Sequence, residues 1–205
     1  MKKVLALTLI ASLSCISTIT HAKQLTAEFP ANELTRLEIQ NGVGEVKIEQ
    51  SDVANISIEV DVKAAKKWFF SSAKVDDATL QSGISNGRLT LSVPMDDTEQ
   101  KWLVKIPKGM ALDLQLGVGE IDVRGDVSDI DADIGVGSFK ADVELARYGA
   151  VAMSAGVGEV NLKTKGDVDK SRHLVGGELQ YQGNGQAKLS VDVGVGDAMV
   201  RDLAN

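Results

Sequence analysis

Cysteine is almost absent from this 205-residue sequence, and the only one, Cys15, lies in its first segment. Downstream of it there is no thiol for a disulfide framework, a nucleophile, a zinc site or an iron–sulfur cluster. Aromatic residues make up 4% of the chain, so its core has to be aliphatic. Proline occurs 3 times, and no stretch rich in Pro, Gly or Ser divides the sequence. Basic residues are in deficit, with 22 Lys and Arg against 29 Asp and Glu. The net charge of −7 argues against nucleic acid and anionic lipid surfaces as partners. Long apolar runs are missing too: the longest, Val4 to Leu13, is about half of the ~20 residues that span a bilayer.

That run has the marks of a secretory leader. Lys2 and Lys3 precede it, and a polar stretch ending Thr20-His21-Ala22 follows. Residues 1–22 are therefore expected to be a signal peptide and 23–205 a single β domain. Its first coils, 34–110, are irregular, and regular Gly-x-Gly repeats fill 111–202. Cys15 is either a lipoprotein attachment site or an apolar filler of the leader. Ser12-Leu13-Ser14 before it departs from the usual lipobox, which favours the filler.

What the chain has in quantity is glycine, 20 residues, 15 of them at or after Gly117. They recur in a signature, Leu116-Gly117-Val118-Gly119-Glu120-Ile121. It returns as Ile134 to Phe139, Ala155 to Val160, Leu174 to Leu179 and Val193 to Ala198, in steps of 18, 21, 19 and 19 residues. A further copy, Asn41 to Val46, stands upstream, and Asn86-Gly87-Arg88-Leu89 is a degenerate relative. Between copies the pattern has period two, as in Leu112, Leu114, Leu116 and Val118, which reads as strands with one buried face. The phase slips after each Gly-x-Gly, which marks a corner. A unit of about 19 residues cannot bury its own face, but stacked units can. The expected fold is all-β: a parallel β-solenoid whose equivalent positions, Val118, Val136, Val157 and Val195 among them, share one dry interior. Only Lys63 to Phe70 has any helical potential.

Gly-Val-Gly-Glu-Val-Lys-Ile at 42–48, Val104-Lys105-Ile106-Pro107-Lys108-Gly109, and the later Gly-x-Gly series resemble the DUF4097 family of bacterial adhesin-like proteins. The resemblance covers roughly residues 34 to 202 and implies a β-helical, exported or envelope-associated protein. The chain lacks the large size and the translocator barrel of a self-displaying adhesin.

Three features invite a functional reading. Lys66, Lys67, Trp68, Phe69 and Phe70 concentrate the scarce aromatics, either as a partner-binding loop or as a lid over the open end of the first coil. Glu45, Glu120, Glu159, Glu178 and Asp197 follow the second glycine of their copies, Ser138 replacing the acid in one. Stacking in chain order would set Glu159, Glu178 and Asp197 in one column, as a Ca²⁺ site or as a solvated acidic corner. The outward glycines Gly117, Gly135, Gly156 and Gly194 form either a smooth binding strip or corners that need tight turning.

Catalysis is poorly equipped. His173 is the only histidine beyond the leader, no Gly-x-Ser-x-Gly occurs, and Gln115, Asp133, Ser154, His173 and Asp192 make a mixed column. The sequence thus points to a non-enzymatic exported envelope protein without a cofactor, periplasmic or at the cell surface, acting as an adhesin-like binding or scaffold module toward an unidentified envelope protein or glycan. The alternative is a polysaccharide-binding or polysaccharide-cleaving β-helix that uses outward carboxylates such as Asp133 and Asp192.

Overall fold

The computed structural model describes residues 22–65, 74–164, 176–204 and the backbone of 169–172. Thirteen strands join in one sheet. In chain order they are β1 (Ala22–Pro30), β2 (Arg36–Gln50), β3 (Asn55–Ala64), β4 (Gln81–Ser85), β5 (Arg88–Ser92), β6 (Thr98–Ile106), β7 (Ala111–Arg124), β8 (Ile130–Val143), β9 (Tyr148–Val157), β10 (Val160–Lys163), β11 (Asp169–Arg172), β12 (Gly177–Gln182) and β13 (Ala187–Asp202). Short 3-10 turns at Val75–Asp77 and Leu145–Arg147 are the helical segments among the described residues.

The long strands are bent in the middle. Along β7, Leu112, Leu114 and Leu116 are buried, then the phase slips, and Ile121 and Val123 are buried. The slip falls on Gly117-Val118-Gly119, and Gly119 takes φ +142°, a region that glycine alone enters cheaply. Gly44, Gly137, Gly158 and Gly196 repeat it with φ between +137° and +147°. Each bent strand is a rung with two arms, and the arms enclose the aliphatic core.

Rungs stack in parallel and in register, as the repeats predict, but not in chain order. β2 pairs with β7, β7 with β8, β8 with β13, and β13 with β9. The last described strand is therefore inserted between β8 and β9. At one end β5 pairs with the first arm of β2 and β6 with the second, so the two make one rung. At the other, β9 and β10 do the same against β13.

Antiparallel strands flank this stack. β1 and β3 cover β6, β4 covers β5, and β12 and β11 follow β9. The sheet is thus of mixed direction, and a purely parallel winding of consecutive coils is not its architecture. Two of the expected repeat copies are not corners. Gly177 to Leu179 lies on β12, antiparallel to β9. Asn86-Gly87, at φ +50° and +73°, is the tight turn of the β4–β5 hairpin. Ile56 to Val62, inside the stretch 34–110 expected to form the first coils, lies on the antiparallel strand β3.

The corner valines also depart from expectation. Val43, Val118, Val136, Val195 and Val157 do lie side by side in register, but on the outside, each between 41% and 49% exposed. The positive-φ glycine turns the backbone one residue later than an unbroken alternation would, so the valine stands at the tip of the bend.

Candidate functional site

Register decides which side chains meet. The residue two before the first corner glycine points outward on every rung, and stacking sets Gln40, Gln115, Asp133, Asp192 and Ser154 in one column, about 4.8 Å apart. Ser92 extends it beyond Gln40, and Glu178 beyond Ser154. Ser154 Oγ donates to Asp192 Oδ1.

Beside this column runs the strip formed by Gly42, Gly117, Gly135 and Gly194. Together they line a groove of about 1060 Å³, closed at one end by Ser92 to Asp96, where the chain passes from β5 to β6. At Gly117, Gly135 and Gly194, though not at Gly42, the stacking itself requires glycine. A Cβ at Gly117 would lie 2.5 Å from the carbonyl oxygen of Gly42, one at Gly135 2.6 Å from that of Gly117, and one at Gly194 2.6 Å from that of Gly135. The strip is smooth because the rungs are close.

Asn41 lines the closed end. It is 6% exposed, and neither its Oδ1 nor its Nδ2 has a hydrogen-bond partner among the described residues. Its neighbourhood is polar: the buried Gln100 donates to Val93 O (2.9 Å) and accepts from Trp102 Nε1 (3.2 Å). The groove's charged groups are Asp96, Asp133 and Asp192, with no Lys, Arg or His among its described lining residues. Carboxylates, amides and a hydroxyl in file along a side-chain-free floor suit a long, hydrogen-bonding, uncharged or cationic ligand, and repel a polyanion.

The acidic corner is built differently from the expected one. Its column reads Glu45, Glu120, Ser138, Asp197, Glu159, because β13 stands between β8 and β9. Glu178 is not in it; on β12 it faces Ser154. Glu45 pairs with Lys101 (2.8 Å) and Glu120 with Lys140, while Asp197 Oδ1 accepts the backbone N–H of Glu159 (2.9 Å). Lys101 is held above the ordinary lysine value by its hydrogen bond to Glu45 and then by that residue's charge. The described residues contain no group of three or more His, Cys, Asp or Glu placed to hold a metal.

A second acidic file lies on the first arm: Glu38, Asp113 and Asp131, in adjacent register. Arg88 reaches Glu38 (3.0 Å) and Asp113 (3.7 Å). Burial alone would raise Glu38, but hydrogen bonds from Gln40, Arg88 and Thr90, with the charge of Arg88, bring it below the ordinary value. Asp113 is pushed up, first by burial and then by the charge of Glu38.

Cys15, the loop Lys66, Lys67, Trp68, Phe69 and Phe70, and His173 lie outside the described residues. Sequence reasoning found the column of Gln115, Asp133, Ser154 and Asp192 but not its order, and it did not include Gln40, Ser92 or Asn41. The alignment of Asn41-Gly42 with Leu116-Gly117 carried the signal: a polar residue where its equivalents are aliphatic.

Bent rungs stacked in one sheet, with a polar groove across them, define an all-β protein of the stacked-rung class. The chain belongs to the family described as the N-terminal domain of toast_rack, DUF2154, whose model matches residues 17–163. That is a different family name from DUF4097, which the Gly-x-Gly motifs resemble. No curated protein matches the sequence. Among solved structures, "a putative cell adhesion protein" from Clostridium sporogenes is 15% identical, with 89% of this chain and 100% of that one covered at a TM-score of 0.55. This likeness shows the fold. "A putative adhesin" from Bacteroides fragilis, 10% identical over 87% of this chain and 97% of its own, has a TM-score of 0.28 and carries no weight. No described helix is long and apolar enough to cross a membrane.

Proposed function

We propose that this protein is a non-enzymatic, exported binding module of the cell envelope, adhesin-like in role, that holds an extended neutral or cationic glycan along the groove. Stacked rungs give it the character of a short β-solenoid with antiparallel caps. The observation that carries the reading is the file of Gln40, Gln115, Asp133, Asp192 and Ser154 beside a side-chain-free strip. Hydroxyl groups of a sugar chain are met by amides and carboxylates that repeat along the stack, and the adhesion description of the Clostridium sporogenes structure accords with it. Lys2, Lys3 and the apolar run to Leu13 support export to the periplasm or surface; lipid attachment at Cys15 would add an anchor.

The test is calorimetric titration with purified neutral, amine-bearing and anionic envelope polysaccharides. Binding is expected for the first two classes and not the third, and Asp192→Ala should weaken it about tenfold or more. No binding to any class would sink the proposal. The adjacent carboxylates Asp133 and Asp192 favour one rival, polysaccharide cleavage. Reducing ends or unsaturated products that vanish in Asp192→Ala would establish that rival.

A further inference from the structure

The groove is blocked at one end. Between β5, which stops at Ser92, and β6, which starts at Thr98, the chain leaves the stack, and Ser92 to Asp96 stand across the end of the polar column. This wall is braced from inside: the buried Gln100 donates to Val93 O (2.9 Å), and the buried Thr98 to Met95 O (3.0 Å). At the other end, by Ser154 and Asp192, no such segment lines the groove among the described residues. A groove open at both ends holds the middle of a chain, whereas a groove with one wall stops a chain at its tip.

Two residues at the wall are ones that the stacking does not call for. At Gly42 a Cβ would meet nothing within 4 Å, and φ lies outside the left-handed region, while at Gly117, Gly135 and Gly194 a neighbouring carbonyl excludes a side chain. Glycine inside a strand costs stability, and one of its uses is to let another molecule come close. Asn41 is the other. Of the two buried amides at this corner, Gln100 has partners for both its nitrogen and its oxygen, and Asn41 for neither among the described residues. The groove thus has a bare floor and an unpartnered, nine-tenths buried amide at the place where it is blocked.

We propose, resting on the glycan reading of the groove, that it takes a glycan by the chain end: the terminal sugar unit abuts Ser92 to Asp96, lies close over Gly42, and sets two neighbouring hydroxyls against the Asn41 amide. The amide, shielded from solvent at this corner, swings about its side-chain bonds to meet them. A carboxamide offers an acceptor and donors side by side, and adjacent hydroxyls answer both, one donating to Oδ1 and the next accepting from Nδ2. A carboxylate or phosphate terminus answers only the donors and is repelled by Asp96, and an apolar tip answers neither.

Calorimetric titration with a glucosamine tetramer, and with a glucosamine chain ten times as long, tests the proposal; Asp96, Asp133 and Asp192 suit the ammonium groups of both. One protein per chain is expected at either length, with equal affinity per chain. Asn41→Leu should weaken tetramer binding about tenfold or more without lowering the melting temperature. Gly42→Ala, whose methyl group stands in open space, should weaken it severalfold. In isotopically labelled protein, the side-chain amide signals that Asn41→Leu removes should shift as the tetramer is added. Several proteins on each long chain, binding indifferent to Asn41→Leu, or unmoved Asn41 signals at saturation would each overturn chain-end binding and leave the glycan reading in place. Failure of the parent protein to bind either length would overturn it together with the amine-bearing arm of that reading.

Discussion

Asn41 occupies the place in its rung that Leu116, Ile134, Val193 and Ala155 take in theirs. A buried amide with neither donor nor acceptor partnered costs stability, and nothing in the fold of β2 requires it. Asn41→Leu is expected to raise unfolding stability by about 1–2 kcal/mol in urea titration, and to weaken ligand binding if the amide serves the groove. The corner strip permits a matched pair of tests. Gly135→Ala forces a Cβ to 2.6 Å from Gly117 O and should cost about 1–3 kcal/mol. Gly42→Ala, with nothing within 4 Å, should change stability by less than about 0.5 kcal/mol. Asp113 gives a pH test. Its folded pKa is raised above the ordinary 3.8 by burial and by Glu38, so its ionised form is disfavoured in the fold. Its contribution to stability is lost as pH rises from that ordinary value through the raised one. Among the groups around it, Glu38 and Asp131 oppose ionisation, and Arg36 and Arg88 favour it. Asp113→Asn should accordingly be more stable than the parent at neutral pH, with the gap closing as the solution is acidified below the aspartate range.

At the scale of elements, β13 is the keystone. It pairs with β8 over Leu189 to Asp202 and with β9 over Ala187 to Val195, and Val191, 1% exposed, lies between Ala132 and Met153. A chain ending before Ala187 leaves β8 and β9 apart. It is expected to lose the cooperative urea transition and the slow amide exchange of both strands. Val191→Ala should cost about 2 kcal/mol. The elements themselves were legible because aliphatic alternation and the Gly-x-Gly phase slip are local signals. Bends at Gly44, Gly119, Gly137, Gly158 and Gly196 all fall where the sequence predicts a corner. Strand order was not legible: in-register copies stack equally well in any sequence, and only the connections decide. β12 shows the limit. Its Gly-Gly-Glu looks like a corner, yet Gly177 sits in an extended strand that runs against β9, and Gly176 packs on the carbonyls of Ala155 and Gly156. The valines mislead for a similar reason. Alternation alone carries Val118 inward with Leu116, whereas one positive-φ residue turns it out.

At the scale of the whole molecule, one outer face of the stack carries charges that alternate in sign from rung to rung. On the second arm Glu49, Arg124, Asp142 and Arg201 follow one another in register, with Arg201 Nε 2.9 Å and Arg124 Nε 3.8 Å from Asp142. Exposed pairs of this kind add little stability singly, and they set the register against a slip by one residue. The candidate groove was half legible at this scale. The outward residues were identified as a mixed column, but its order, with Asp133 beside Asp192, depends on β13 crossing over β9. Parallel pairs such as Leu37 with Leu112 join residues far apart in sequence, which slows closure of the sheet. Refolding from urea, followed by stopped-flow fluorescence of the buried Trp102, is expected on the order of a second or slower.

Until residues 187–202 dock, the central hydrogen bonds of β8 and β9 have no partner, so closure of the stack and its locking fall to one and the same segment.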